Sequence, residues 1–181
     1  MKKFELTNEF ITNMFGTKLF RIRALVEFGD VEAGELGGYV EKESNLGHDD
    51  NAWVYDNAWV YGDAQVSGDA LVYDNARVYG DAQVSGDALV YGNALVYGNA
   101  RVCGDARVCG NGDYAYAHGF GSVNRTTTFF RLKDGGVGVR CGCFYGTLAQ
   151  FRDKIRETHG ETKKAQEYLM LADLMKLRFE K

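Results

Sequence analysis

The sequence contains no proline, and it has only three histidines and four cysteines among its 181 residues. Residues 49–117 include no histidine at all, so the centre of the chain offers no imidazole as a general base. No apolar run reaches the length of a membrane span, which excludes a spanning helix. The first residues, Met1-Lys2-Lys3, lead into alternating polar sequence, which does not fit a secretory signal peptide. The missing proline has no physical explanation in the pattern.

Excess positive charge is also lacking, because the formal net charge is −4. Residues 49–113 hold ten Asp and three Arg, a balance of −7, so the flanking segments together carry +3. An acidic centre disfavours binding to a nucleic-acid backbone. The cysteines lie late in the chain and are few, which indicates reduced thiols of a cytosolic protein rather than a disulfide framework.

A period of six residues dominates what is present. Valine recurs ten times without a gap, and a small residue follows four positions later each time, nine times alanine and finally Gly112. The valines are Val54, Val60, Val66, Val72, Val78, Val84, Val90, Val96, Val102 and Val108. Residues 61–78 recur as residues 79–96 with two changes, Asp74 to Gly92 and Arg77 to Leu95. The longer period is therefore eighteen residues, or three hexads.

Six residues fit a short strand followed by a tight corner, whereas a helix repeats near 3.6 residues and a half-buried strand at 2. Each valine and the alanine two residues before it face the same side of an extended segment. The second residue after each valine is Gly or Asp, which tolerate positive φ, so the chain is predicted to turn there. The Asp or Asn that follows is expected to bond its own turn. Three corners close a triangular coil, and stacked coils form three parallel sheets.

This pattern resembles the hexapeptide-repeat superfamily, and the resemblance implies a left-handed parallel β-helix. Residues 18–25, 34–41 and 141–148 also resemble uncharacterised hexapeptide-repeat proteins carried by phages and prophages of bacteria. The predicted fold class is an all-β solenoid of about five coils with a small C-terminal α+β appendage. The expected segments are N-terminal strands and cap (1–35), the β-helix (36–120) and a C-terminal hairpin with two helices (121–181).

The flanking segments carry their own signals. Residues 17–25 are expected to pair as a strand with residues 6–12. A first, irregular coil begins near Leu36, with Lys42 and His48 on inward positions. Residues 126–132 and 137–144 predict a hairpin. Thr147 and Gln150 form a capping-box pattern that opens a helix to about residue 158, and an amphipathic helix is expected over 162–179.

Catalytic and metal-binding candidates are few. Many hexapeptide proteins are acyltransferases with a histidine as general base, and the only candidates here are His48 and His118, at opposite ends of the repeat. Ten uninterrupted hexads also leave no room for the long loop that often completes an acyl-donor site. Cys141-x-Cys143 is a weak zinc spacing, and Cys103 and Cys109 belong to different sides of the coil. We therefore expect no metal ion and no cofactor.

The outward residues divide into two aromatic and aliphatic faces and one polar face. Apolar patches of that size mark contacts, and the C-terminal helix is a candidate to cover one of them. The other face then predicts a homo-oligomer, most simply a trimer. The predicted binding or interface residues are Trp53, Tyr55, Trp59, Tyr61, Leu71, Tyr73, Tyr79, Leu89, Tyr91, Leu95 and Tyr97.

These features favour a non-enzymatic binding protein of phage type, acting in the bacterial cytoplasm. Its ligand would be a host protein or a small nucleotide-like molecule, and neither nucleic acid nor a membrane is expected as a partner. An acyltransferase using an acetyl-CoA-type donor is the alternative. A structural assembly protein is the third hypothesis.

Overall fold

A computed structural model describes residues 2–121 and 123–180. The predicted segments 1–35 and 121–181 include Met1, Ser122 and Lys181, which lie outside the described residues. The chain begins with three longer strands, β1 (Phe4–Thr12), β2 (Lys18–Ala24) and β3 (Leu36–Val40). The first two form the expected antiparallel hairpin.

Ten two-residue strands follow, one every six residues, and they form three parallel sheets. The first face consists of β4 (Trp53–Val54), β7 (Leu71–Val72), β10 (Leu89–Val90) and β13 (Arg107–Val108). The second face consists of β5 (Trp59–Val60), β8 (Arg77–Val78) and β11 (Leu95–Val96), and β3 extends it toward the N-terminal hairpin. The third face consists of β6 (Gln65–Val66), β9 (Gln83–Val84) and β12 (Arg101–Val102). The predicted β-solenoid is confirmed, although with about four turns rather than five.

The inside of the solenoid is a dry ladder of valine and alanine. All ten repeat valines and the alanines between them are at most 1% exposed. Backbone hydrogen bonds join each coil to the next at the same positions of every repeat. For example, Gln65 N donates to Ala82 O at 2.9 Å, and Ser67 N donates to Val84 O at 3.0 Å. Burial of this aliphatic surface, at about 25 cal/mol per Å², is the main term that stabilises the coils.

The corners turn where the sequence places Gly or Asp. Positive φ occurs at nine of the ten predicted positions, from Asp56 (φ 52°) to Gly104 (φ 62°). Glycine has a second role here, because a Cβ on Gly86 would lie 2.8 Å from the amide nitrogen of Gly104 in the next coil. The expected bonding of each aspartate to its own turn is wrong for Asp69, whose Oδ1 accepts from Asn51 in the preceding coil.

The first coil closes differently from the sequence-based expectation. Lys42 does not point inward, since its Nζ lies 2.7 Å from Asp63 Oδ1 in an exposed ion pair. The fully buried residue is Asn45, in a short 3-10 turn (Glu43–Asn45), whose Nδ2 donates to Gly62 O at 3.1 Å and Ala64 O at 2.8 Å. The Asn45 side chain thus satisfies two backbone carbonyls of the next coil at this end of the solenoid.

The other end is closed by an antiparallel sheet with two helices behind it. The sheet contains β14 (Tyr114–Phe120), β15 (Arg125–Arg131), β16 (Val137–Cys141) and β17 (Phe144–Thr147). The helices are α1 (Leu148–His159), which starts with the predicted capping box, and α2 (Lys163–Phe179). Alternation along β15 places Phe130 in the solenoid core and Phe129 in a separate core with both helices.

This arrangement corrects the expectation that the C-terminal helix covers one face of the solenoid. The buried side chains of α2, such as Tyr168, Ala172 and Met175, pack with α1 and the antiparallel sheet. The two apolar faces therefore keep most of their length uncovered by the described chain. None of the helices among the described residues is both long and apolar enough to cross a membrane.

Candidate binding faces

The second face carries a column of aromatic, basic and aliphatic side chains. Tyr39, Trp59, Arg77 and Leu95 lie opposite one another on successive strands. The guanidinium of Arg77 lies 4.1 Å from the ring centroid of Trp59, a cation–π contact. Arg21 lies over the Tyr39 ring in the same way and donates to its hydroxyl at 3.0 Å. The column is thus held rigid before anything binds to it.

A tyrosine ladder runs beside this column at the corner. The rings of Tyr61 and Tyr79 are 5.0 Å apart and those of Tyr79 and Tyr97 are 5.4 Å apart, both stacked nearly parallel. Identical side chains eighteen residues apart stack because successive coils are about 4.8 Å apart. Burial raises the pKa of Tyr61 and of Tyr79 above the ordinary value of a tyrosine.

The ladder ends in a groove of about 600 Å³ between the solenoid and the C-terminal sheet. Tyr116 meets Tyr97 edge to face at 6.1 Å, and Tyr114 donates its hydroxyl proton to Leu95 O at 2.6 Å. Arg178 of α2 also lines the groove and donates to Asn111 O at 3.3 Å. The groove therefore combines aromatic walls with one guanidinium.

Three residues of this groove were not predicted from the sequence, namely Tyr114, Tyr116 and Arg178. The tyrosine column at 61, 79 and 97 projects to position 115, between Tyr114 and Tyr116, so the period contained a signal for the two tyrosines. Arg178 had no such signal, because its place depends on how α2 docks against the sheet.

The first face has a shorter column. Leu71 and Leu89 lie opposite each other and are half-buried, and the rings of Tyr73 and Tyr91 stack at 5.0 Å. Burial raises the pKa of both tyrosines. At the C-terminal end Arg107 donates to Asp87 O at 2.9 Å, which leaves a cation at the foot of this column.

The prediction that Trp53 is a surface residue of the first face is wrong. Trp53 is 0% exposed, because the rings of Phe4 and Phe28 pack edge-on against it with centroids 6.1 Å and 5.3 Å away. Tyr55, next on that face, is half-buried. The part of the first face that is open to a partner therefore starts at Leu71.

The third face is polar and carries no aromatic column. Gln65 is exposed, and Gln83 accepts a hydrogen bond from Arg101 Nε at 2.9 Å. Cys103 lies on this side, half-buried, and burial raises the pKa of its thiol. The third face therefore differs in polarity from the two aromatic and aliphatic faces.

The two histidine candidates lie at opposite ends of the solenoid. His48 stacks on Phe4 with centroids 4.4 Å apart and is the acceptor for Lys3 N at 3.3 Å, and burial lowers its pKa. His118 is exposed on β14, with Nδ1 2.9 Å from Thr126 Oγ1. One chain does not bring the two imidazoles together.

The cysteines are dispersed as well. Cys109 lies on the first face, where its Sγ is 3.2 Å from Asp113 Oδ2, which raises the pKa of the thiol. Cys141 and Cys143 line a cavity in the C-terminal part instead. In the part of the chain that the structure describes, no group of three or more His, Cys, Asp or Glu side chains is arranged to hold a metal ion.

Comparison with known families adds one match. The family described as "YdcK Beta solenoid repeat" matches residues 64–80, 70–86, 82–98 and 88–104. These overlapping windows span residues 64–104, which include Arg77, Tyr79 and Tyr97 but not Trp59 or Tyr61. No curated protein sequence matches the chain significantly. The chain is therefore a repeat β-helix protein, and its central coils are similar to the YdcK β-solenoid repeat.

Proposed function

We propose that this protein is a non-enzymatic binding protein that assembles as a homotrimer through the first and second faces. The observation that carries the proposal is the asymmetry of the solenoid. Two neighbouring faces present stacked Tyr, Leu and Trp, while the third presents Gln, Ser and Arg.

A second copy of the chain fits these faces better than an unrelated partner. Both faces repeat at the same coil spacing of about 4.8 Å, so side-chain rows of two copies stay in step along their whole length. The first face of one copy would pack against the second face of the next, which is a heterologous contact. Such contacts close into a ring when the rotation permits, and two adjacent sides of a triangular prism suit threefold closure.

The ligand-binding position in this proposal is the groove at the end of the tyrosine ladder. Tyr97 is 42% exposed there, and Tyr116 and Arg178 stand beside it. Aromatic rings stack on nucleobases, and a guanidinium pairs with phosphate, so the groove suits a small nucleotide-like ligand. A host protein is the other ligand class that the sequence favours. We propose that it is a phage-type protein acting in the bacterial cytoplasm; the four unpaired cysteines support the reducing compartment.

The assembly is tested by placing one charge on each apolar face. Leu89→Glu on the first face and Leu95→Glu on the second would each bury a carboxylate in the interface, so multi-angle light scattering should report a folded species smaller than the parent. Gln83→Glu, on the third face of the same coil, is the matched control and should keep the parent mass. A parent that is monomeric at micromolar concentration overturns the proposed assembly.

Native mass spectrometry of the purified protein tests the ligand. A retained nucleotide-like molecule that is lost in Arg178→Gln supports the groove. A retained host polypeptide would instead show that the ligand is a host protein rather than a nucleotide-like molecule. A retained pantetheine-bearing molecule would instead favour the acyltransferase alternative.

A further inference from the structure

The C-terminal part of the chain contains a cavity that the proposed assembly does not use. It has a volume of about 260 Å³ and lies between the β16–β17 hairpin and the two helices. Its walls include the rings of Phe144, Phe151 and Tyr168, with 5.4 Å between the first two centroids and 5.9 Å between the last two. Engineered apolar cavities of about 150 Å³ hold benzene, so a substituted single ring fits this one.

The walls are fixed by contacts within the protein. The Tyr168 hydroxyl donates to Phe120 O at 3.3 Å, and the Thr127 hydroxyl donates to Cys141 Sγ at 3.2 Å. His159 stacks on Tyr168 with 5.9 Å between the ring centroids. A ligand would therefore enter a preformed space, which lowers the entropy cost of binding.

The charged groups that line the cavity are all of one sign. Arg125 and Lys154 contribute a guanidinium and an ammonium group, whereas no Asp or Glu is among the lining residues. Within residues 2–121 and 123–180, Arg125 forms no ion pair with a carboxylate. Lys154 pairs with Glu157 at 3.0 Å, but both side chains are mostly exposed, and such pairs contribute little. Both cations are thus available to an anion.

The hairpin turn makes room for the guanidinium. Gly142 has φ +58°, and a Cβ at that position would overlap Nη1 of Arg125. The glycine therefore allows both the two-residue turn and the close approach of the cation to the mouth of the cavity.

We propose that this cavity binds a small anion that carries one aromatic ring, with the ring packed against Phe144, Phe151 and Tyr168 and the anionic group at Arg125 and Lys154. Charged hydrogen bonds to a carboxylate or phosphate are roughly twice as strong as neutral ones, and they give the apolar cavity its selectivity. The inference does not depend on trimer assembly or on the tyrosine groove.

Two cysteines make the test direct. Cys143 is exposed and lines the cavity, while Cys109 is exposed on the first face and serves as an internal control. The probes are benzoate and phenyl phosphate, which separate carboxylate from phosphate sources, and benzyl alcohol as a neutral ring. We expect at least one anion at millimolar concentration to slow iodoacetamide labelling of Cys143 severalfold and to leave Cys109 unchanged, as measured by peptide mass spectrometry.

Charge-removal variants complete the test. The double variant Arg125→Gln with Lys154→Gln should raise the Kd of the protecting anion about tenfold or more, as measured by calorimetry. Lys133→Gln with Lys176→Gln removes the same charge outside the cavity and should leave that Kd unchanged. The proposal is overturned if neither anion slows the labelling of Cys143. It is also overturned if benzyl alcohol slows that labelling as much as the anions do.

Discussion

The ammonium group of Lys3 lies beneath the N-terminal strands, where Nζ donates to Asp50 O at 2.6 Å and to Ala52 O at 2.8 Å. It also sits 4.6 Å from the centroid of Phe28, one of the rings that bury Trp53. Burial lowers the pKa of Lys3 from 10.5 to about 8, against the opposing effect of nearby Asp50, Asp49 and Asp69. One titratable side chain therefore links the first residues of the chain to the first coil.

This pKa gives a pH dependence of defined sign. Between about pH 8 and 10.5 the unfolded chain keeps the Lys3 proton longer than the folded chain, so the Lys3 contribution to stability rises with pH in that window. Tyrosines with raised pKa act in the opposite direction above pH 10, because the unfolded chain ionises them first. Because wild type and Lys3→Met contain the same tyrosines, the tyrosine contribution cancels when their stabilities are compared.

We expect the wild-type melting temperature, relative to that of Lys3→Met, to increase from pH 8 to pH 10, as followed by circular dichroism. Lys2→Met, at an exposed neighbouring residue, is the control, and its melting temperature should change with pH in parallel with that of wild type. Parallel curves for Lys3→Met as well would contradict the depressed pKa.

At the scale of elements, each short strand is stable only as one step of the valine ladder. Val84 is 0% exposed, with Val66 and Val102 on the neighbouring strands of the third face. Val84→Asp would place an unpaired carboxylate in this dry interior, and we expect a loss of about 3–5 kcal/mol in the free energy of unfolding. Chemical denaturation measures it.

Ser85→Asp is the matched control, because residue 85 points outward from the same strand end and is half-buried. It should cost less than about 0.5–1 kcal/mol. Equal losses for the two variants would mean that the inward and outward assignments do not govern stability.

The elements also show what the sequence can and cannot predict. The valine period and the Gly or Asp corners repeat often enough to locate the strands, the dry interior and the nine positive-φ corners of the solenoid. Thr147 and Gln150 located the start of α1, because the capping box is local chemistry. Everything in these predictions depends on residues within a few positions of each other.

Docking between elements was harder to predict, because it depends on which apolar surfaces meet. The stripe on α2 matched a solenoid face as well as it matched the sheet, yet Phe129 and Val139 supply its partner surface. Trp53 had the pattern of an outward residue, and only the distant Phe4 and Phe28 make it buried. The candidate groove shares this limit, since Arg178 joins Tyr97 only through the fold of the C-terminal part.

At the scale of the whole molecule, a full coil is an interchangeable unit. Residues 61–78 and 79–96 differ at two positions only, so contacts of the first coil have equivalents one coil further on. Asn45 Nδ2, which bonds Gly62 O and Ala64 O, would find the carbonyls of Gly80 and Ala82. Asp81 would likewise replace Asp63 as the partner of Lys42.

Deletion of residues 61–78 should therefore give a folded protein that is shorter by one coil, about 4.8 Å along the axis, with cooperative thermal unfolding. Deletion of the single hexad 61–66 is the control. It keeps the valine ladder but moves each later strand to a different face, which separates the tyrosine column from the strands of the second face. We expect only the longer deletion to keep the parent's oligomeric state in light scattering, and the opposite result would refute the eighteen-residue unit.

The near-identity of these coils has a consequence for how the chain finds its native pairing. A molecule that pairs residues 45–47 with the coil at 79–96 instead of 61–78 still places valine against valine, so the interior scarcely distinguishes the correct alignment from one displaced by a coil. Discrimination falls to the parts that occur once: Trp53 beneath Phe4 and Phe28 at one end, and Tyr114 bonded to Leu95 O at the other. The non-repeating ends therefore set the register in which the coils pair. Substitutions that disrupt these ends would produce misaligned molecules with an intact interior.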